Sequence, residues 1–441
     1  MASFAESKMN GSRHNLVSCP AADPFTRGVA LGRALAPLAR ELHGLLAGVW
    51  FGHLANEWAA IAGASLKALA AHAPVSLGEL RGFASALDGC EGASGDGMTL
   101  LLMLGSEREL GMLNAQRAAG FRSAPLGGHN SDVDDVLPPA ASSPADCSGL
   151  VWSRLGPGAR SLLGHATDLT PEFYLSGRAT RICHLAGGTM PGDEDQTKSY
   201  PACLCINFAG VGCIGGTNAC GLTISRFTVD TGERNLNRGV PIYFLVREAL
   251  TRRTLEDAVE FLRGCPRTLP YAFHLAQAGR AVGVECSPSA FTVTPAVFAE
   301  VAKAEEVAVA PVAAAAGVEG AAVPRAGSPT VYSGVRANHC LIDPGMIRTE
   351  IGAHHLAALG GQNDKSSVAR QASLQHALGR MVAREGAEPD VAGVQAALLA
   401  SPVTNETTMF CFVAESEEGA EAQRLHVQFF GEGPRFHTYV V

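Results

Sequence analysis

The chain is poor in charge and has no cationic run. Only 17% of its 441 residues are Asp, Glu, Lys or Arg, and the formal net charge is −8. Without a Lys/Arg-rich stretch, nucleic acid is not an expected partner. Long hydrophobic runs are missing too. The longest apolar stretch, Val307 to Val318, is mostly Ala and Val with a proline, too short and too weakly apolar to span a bilayer. The opening MASFAESKMNGSRHNLVSCP has no apolar core of the secretory kind. The ending Tyr-Val-Val is not a peroxisomal address. A cytoplasmic chain with no membrane span is therefore expected.

Common cofactor and metal signatures are also lacking. There is no GxSxG elbow, P-loop or HExxH. Gly210 to Gly215 fits G-x-G-x-x-G, with Asp230 twenty residues on, but the next segment reads as a turn and a strand rather than a helix. In CLCINF, Cys203 and Cys205 fall on one face of a strand, and no second close pair stands at ligand spacing. Glu350, His354 and His355 offer too few ligands. No metal and no organic cofactor is expected.

What is present is core material. Hydrophobic residues make up 47%, and the 12 cysteines read as mostly buried thiols of a reducing compartment. Residues 1–21 read as a flexible lead, with Asp23-Pro24 as a helix start in which Asp caps and Pro takes the first turn. Residues 22–119 carry apolar residues at helical spacing, as in GVALGRALAPLARELHGLLAGVW. Residues 120–146 are rich in Gly, Pro, Ser and Asp and read as an exposed linker. From Cys147 to Val441 the texture is largely β, with helices expected at about 240–262 and 365–399 and strands at 271–277, 280–286 and 290–294. A low-complexity Ala/Val/Gly insertion occupies about 305–328.

The junction Asp146-Cys147-Ser148-Gly149 stands out, because a cysteine sits where a polar linker meets the first β run. If the linker is cut there, Cys147 becomes a chain terminus. Its thiol would attack the Asp146 carbonyl to form a thioester, which water opens. The freed α-amine has an ordinary pKa of about 8, low enough to serve as a general base for the thiol beside it.

Several segments occur in an order that resembles the acyl-coenzyme A:isopenicillin N (6-aminopenicillanic acid) acyltransferase family, which contains cysteine N-terminal nucleophile hydrolases. They are TRGVALGRAL near the start, Cys147 opening the β region, and Gly164-His165-Ala166-Thr167-Asp168. Then come Gly216 to Leu222, Arg238-Gly239-Val240-Pro241, Ala281 to Pro288, and Ala337-Asn338-His339-Cys340-Leu341. The resemblance implies an α/β fold, a four-layer αββα sandwich with a helical N-terminal segment. It implies a self-processing amidohydrolase or N-acyltransferase working through a thioester on Cys147. Its substrate would be a small N-acyl amide, with acyl-CoA as an optional donor, and the two fragments would stay associated. Residue by residue, Cys147 is the nucleophile, Asp168 holds its α-ammonium, and Asn338 donates to the oxyanion.

The chain departs from the pattern in three places. Asp146 stands where the family usually has Gly. The strand LTISRFTV lacks an asparagine that relatives place there, leaving Ser225, Thr228 or a backbone N–H as support. An arginine-bearing late segment is replaced by VTNETTMFCF, which offers Asn405 or Thr407. Arg226 is weighed as a clamp for a substrate carboxylate against a solvent-facing strand arginine. The competing function is an uncleaved, non-catalytic relative that serves as a binding protein. A lipid-amide or phospholipid hydrolase with the same nucleophile is a third reading.

Overall fold

The structure is a computed structural model. It describes residues 16–46, 55–89, 96–106, 109, 147–168, 180–191, 198–208, 210–229, 235, 236, 238–295, 330–336, 363–383, 388–404, 408–420, 422–430 and 435–441.

The N-terminal part folds as helices α1 (Pro24–Leu46), α2 (Ala55–His72), α3 (Pro74–Asp88) and α4 (Gly97–Gly105). Asp23 starts α1 as expected: its Oδ2 accepts from the Thr26 backbone N–H and hydroxyl, each at 2.7 Å. Helices α1 and α3 cross at very close range. A Cβ at Gly28 would lie 2.0 Å from the Glu79 carbonyl oxygen, and one at Gly82 would lie 1.9 Å from that of Phe25. That approach is why glycine occupies the TRG motif. The stretch read as a flexible lead differs from expectation, because Leu16–Cys19 form strand β1, with Cys19 buried.

Two sheets follow. In chain order the strands are β2 (Cys147–Leu155), β3 (Arg160–Asp168), β4 (Thr180–Leu185), β5 (Gly188–Thr189), β6 (Ser199–Tyr200), β7 (Cys203–Phe208), β8 (Val211–Asn218) and β9 (Thr223–Thr228). After them come β10 (Tyr271–Gln277), β11 (Arg280–Cys286), β12 (Phe291–Pro295), β13 (Thr330–Arg336), β14 (Thr408–Glu417), β15 (Arg424–Phe429) and β16 (His437–Val440). Among the described residues the larger sheet has eight strands in the order β1-β4-β7-β8-β9-β10-β11-β12, and the smaller has six, β13-β2-β3-β14-β15-β16. β5 and β6 pair separately.

The remaining helices are α5 (Ile242–Ala249), α6 (Leu255–Gly264), α7 (Asn363–Ala383) and α8 (Val391–Leu399). Helices α4 and α5 pack on β8 of the larger sheet, while α7 and α8 pack on β2, β3, β13 and β14 of the smaller one. The two sheets meet through β10 and β11 against β2 and β3. This is the expected αββα order of layers. It accounts for strands such as β14, buried along nearly its whole length, since each sheet is covered on both faces.

Both long helices of the sequence reading are split. The 240–262 run breaks between α5 and α6. Asn218 Nδ2 donates to the Leu250 and Arg252 carbonyls there, and Thr254 caps the new start by accepting from Asp257 N–H. The 365–399 run breaks before Asp390, which follows a proline and caps α8 through Gly393 N–H at 2.7 Å. The decoy Gly210 to Gly215 lies largely in β8 and opens no helix. Cys203 and Cys205 do share a face, with their sulfurs 3.4 Å apart.

Candidate active site

Cys147 is the first residue of β2 and pairs with Thr167 of β3. It is 2% exposed and packs against Phe227, Val229 and Ala272 of the larger sheet, so its thiol faces the space between the sheets. That space needs a glycine two residues on. A Cβ at Gly149 would lie 2.7 Å from the Phe227 ring and 2.7 Å from the Gly164 carbonyl oxygen.

Next to Thr167, the strand partner of Cys147, stands Asp168. Asp168 ends β3, fully buried, and pairs with Thr408 of β14. The Thr408 hydroxyl donates to Asp168 Oδ1 at 2.5 Å. Arg370 of α7, also fully buried, donates from Nη1 to the Cys147 carbonyl at 2.9 Å and to Ser148 Oγ at 2.6 Å. The same nitrogen lies 3.7 Å from Asp168 Oδ2. Burial, with the Asp168 charge second, pushes the nearby Cys411 thiol well above its ordinary value. The sequence reading missed Arg370 and Thr408. They are 223 and 240 residues from the partners they bind.

The wall facing the thiol is aromatic. His165 and His274 flank Phe227 with ring centroids 5.0 Å away on each side, and Phe412 lies 5.3 Å from His165. Burial lowers both imidazoles. His165 falls well below its ordinary value, with Arg226 and His274 adding to the effect; His274 falls to about 3, with Arg336 adding. Both rings are therefore neutral near pH 7. Beside them Arg336 and Glu285, both buried, form an ion pair at 2.5 Å across the two sheets. Arg336 stands opposite Gly149 in the β13–β2 ladder.

The remaining expected residues divide by strand parity. Ser225 lies on the inner face of β9 with Phe227, opposite His274. Arg226 and Thr228 lie on the outer face. Arg226 is buried rather than solvent-facing: its guanidinium sits 5.1 Å from the Tyr243 ring centre and donates to the Tyr243 hydroxyl at 3.4 Å. It packs under α5, across the sheet from the thiol. Asp146, Asn338, Asn405 and Thr407 fall outside the described residues, as do Asp230, Glu350, His354, His355, the 120–146 linker and the 305–328 insertion. Arg336 is two positions before Asn338.

Other motif residues have structural partners. Asn218 donates to two carbonyls and accepts at Oδ1 from the Cys220 and Leu222 N–H groups, so it pins the β8–β9 turn to the end of α5. Gly221 in that turn has φ +79°, a conformation that favours glycine. Arg247 shares the Glu79 carboxylate with Arg27. Among the described residues no His/Cys/Asp/Glu cluster suits a metal ion.

No curated protein matches the sequence. Among solved structures, a Caenorhabditis elegans N-acylethanolamine-hydrolyzing acid amidase ortholog aligns at 15% identity and TM-score 0.39, covering 60% of this chain and 92% of its own. A mutant conjugated bile acid hydrolase from Clostridium perfringens aligns at 11% and 0.38, covering 66% and 92%. Penicillin V acylase from Agrobacterium tumefaciens aligns at 11% and 0.36, covering 66% and 85%. Similarity at this level carries no argument about the site. A family model described as acyl-coenzyme A:6-aminopenicillanic acid acyl-transferase matches residues 156–309. That stretch begins after Cys147 and includes Asp168, the Asn218 turn and Glu285. The similarity to that family thus covers residues 156–309 of the 441.

Proposed function

We propose that the chain cuts itself before Cys147 and then acts as a cysteine amidohydrolase or N-acyltransferase on a small N-acyl amide. The observation that carries this reading is the position of Cys147. It opens an interior strand of the smaller sheet, its thiol turned to the inter-sheet space, and its strand partner Thr167 is followed by the buried Asp168.

The chemistry has two stages. In the first, the Cys147 sulfur attacks the Asp146 carbonyl carbon and the peptide nitrogen leaves as the α-amine. Water then opens the resulting thioester and frees the Asp146 carboxylate. In the second, the α-amine takes the thiol proton, and the sulfur attacks the acyl carbonyl of a substrate amide. An N–H of Asn338 stabilises the oxyanion. The departing amine takes the proton back from the α-ammonium, which leaves an acyl thioester on Cys147. Water releases an acid and an acceptor amine receives the acyl group, so hydrolysis and transfer share one intermediate. The charge on Asp168 holds the ammonium form in place. An acyl-CoA could load the same thioester from the donor side, and no metal or organic cofactor is required.

Buried polar contacts support a small N-terminal piece that stays bound after the cut. Arg27 and Arg247 share Glu79, Ser76 donates to Glu248 at 3.0 Å, and Thr268 donates to Glu109 at 2.6 Å. Burial outweighs these donors at Glu109 and raises its carboxyl.

Intact mass of the purified protein beside Cys147→Ala tests the reading. The 45.7 kDa chain should give pieces of about 15 and about 31 kDa with Cys147 as a new N-terminus, while the variant stays whole. If both stay whole near neutral pH, self-activation fails. The uncut binding protein then takes its place, with Asp146 as the cause.

A further inference from the structure

Thr167 stands directly opposite Cys147 in the β2–β3 ladder. Opposed residues of an antiparallel pair project to the same face, with Cβ atoms about 4.5–5.5 Å apart. The thiol packs on Phe227, Val229 and Ala272 of the larger sheet, so that face is the inter-sheet one. Strand parity agrees, because His165, two residues before Thr167, packs on Phe227 and Phe412 there. Thr167 is fully buried, and its hydroxyl has no hydrogen-bond partner among the described residues. An unmatched buried hydroxyl costs free energy that a valine of the same shape would not. The neighbours narrow its use. Phe227, Val229 and Ala272 offer no polar side-chain atom. Asp168 turns to the other face of β3, where Thr408 donates to it. Ser148 likewise turns outward, to Arg370. Across the ladder on the inner face, the Cys147 sulfur is the atom that can accept.

We propose that Thr167 is a catalytic residue: when the α-amine takes the thiol proton, the Thr167 hydroxyl turns about its Cα–Cβ bond and donates to the Cys147 thiolate. This rests on the reading of Cys147 as the nucleophile. A neutral thiol is a weak acceptor, whereas hydrogen bonds to a charged atom are the strong ones. The bond therefore forms mainly as charge appears on sulfur, which is where an interaction speeds a reaction. It also makes the sulfur easier to ionise. Once the acyl thioester forms, the charge is gone and the hydroxyl is released. Other charged groups around the sulfur are accounted for. Asp168 and Arg370 belong to the outer side of the smaller sheet, with Arg370 on the Cys147 carbonyl. Glu285, beside Ala272 on β11, is paired with Arg336, which stands beside Gly149. His165 and His274 are held neutral by burial, and Cys411 on β14 is pushed well above its ordinary value. Near and above neutral pH the group that titrates at this point is the thiol, joined after the cut by the α-amine.

The test compares wild type with Thr167→Val and Thr167→Ser. The pH dependence of iodoacetamide labelling is read on the Cys147 peptide by mass spectrometry, which separates it from the other cysteines. Turnover of a chromogenic N-acyl amide gives kcat and KM in the same proteins. Thermal melting identifies any variant that has not folded, and Thr167→Ala replaces Thr167→Val if that one fails. In Thr167→Val the labelling midpoint should rise by about one pH unit, and kcat should fall about tenfold with KM changed less than about twofold. Thr167→Ser keeps the hydroxyl, so it should keep the midpoint near wild type and recover most of kcat. If Thr167→Val folds and labels with the wild-type midpoint, the bond to the thiolate is absent and the proposal is overturned, whatever its kcat. A midpoint that rises equally in Thr167→Ser also overturns it, because shape and not the hydroxyl would then set the thiol. A wild type that stays whole overturns the hydrolase reading, and the catalytic role falls with it, while the midpoints still decide whether the hydroxyl donates to the sulfur.

Discussion

Thr408 and Asp168, 240 residues apart in sequence, meet at 2.5 Å, with the hydroxyl donating to the carboxylate deep inside the smaller sheet. Thr408→Val keeps the shape and removes the donor. A hydrogen bond to a charged group contributes about 1.5–3 kcal/mol. Stability should fall by roughly that amount, and both self-cleavage and turnover should slow. Denaturant midpoints and processing time courses measure the two effects. A variant that processes at the wild-type rate would show that Asp168 does not depend on this bond.

Glu79 sits between two buried cations. Arg27 Nε donates to it at 2.7 Å and Arg247 Nη2 at 2.6 Å. These charges pull the Glu79 carboxyl below its ordinary value despite full burial. Glu79→Gln would leave two guanidiniums without their counter-charge. Breaking such a pair costs about 3–5 kcal/mol. A matched apolar replacement, Arg27→Met with Glu79→Leu and Arg247→Leu, should recover most of that loss. Urea unfolding of the three forms separates the cost of an orphaned charge from the value of the network.

Acid should weaken the fold in two windows. His274 falls to about 3 in the fold from an ordinary 6.5, so below about pH 6.5 the unfolded chain takes up a proton that the folded chain refuses. Stability from this site is complete above about 6.5 and is lost as pH falls toward about 3. Glu415 is held at about 2 by His426, Arg160 and Arg424, so its contribution is present above its ordinary 4.5 and is lost between there and about 2. Melting temperature between pH 8 and pH 4 should drop in wild type, and the upper part of that drop should flatten in His274→Phe. An unchanged slope would mean that other groups dominate the acid response.

Gly149 has no room for a side chain. Gly149→Ala would press a methyl into the Phe227 ring and the neighbouring strand, at about 1–3 kcal/mol for an overpacked core. Because Phe227 also packs on Cys147, the rate of Cys147 alkylation should change along with the melting temperature. A melting temperature within a degree of wild type would mean that the sheets separate more readily than their packing suggests.

Much of the β region was legible because short apolar runs alternate with turn residues. Strands β10 and β11 occupy 271–277 and 280–286 as read. The helix breaks were not legible, because their causes are remote: the carbonyls that end α5 are taken by Asn218, from another strand. Residues Leu16–Cys19 looked like a polar lead because a four-residue strand leaves little periodicity to read. At the site, Asp168 was expected only from the family resemblance; the ladder that sets Cys147 opposite Thr167, next to Asp168, is a finding of the structure. Arg370 carried no local signal. Its helix is polar, and nothing in the spacing of NDKSSVARQASL separates a buried arginine from a solvated one. The solvent-facing alternative for Arg226 fails because its strand is covered on both faces, so alternation there separates two interiors rather than core from water.

The layer order has a consequence for the life history of the molecule. Helices α1 to α4 and strand β1 precede Cys147, yet they cover and extend the sheet built from strands that follow it. A cut at Cys147 would therefore divide the chain without dividing the core. Folding before the cut is a one-molecule event, but reassembly after it would require two molecules to find each other. The cut form should refold in proportion to its concentration, and the uncut form should not. Cleavage would then act as a ratchet: the architecture is reached once as a single chain, and later survival depends on never fully letting go.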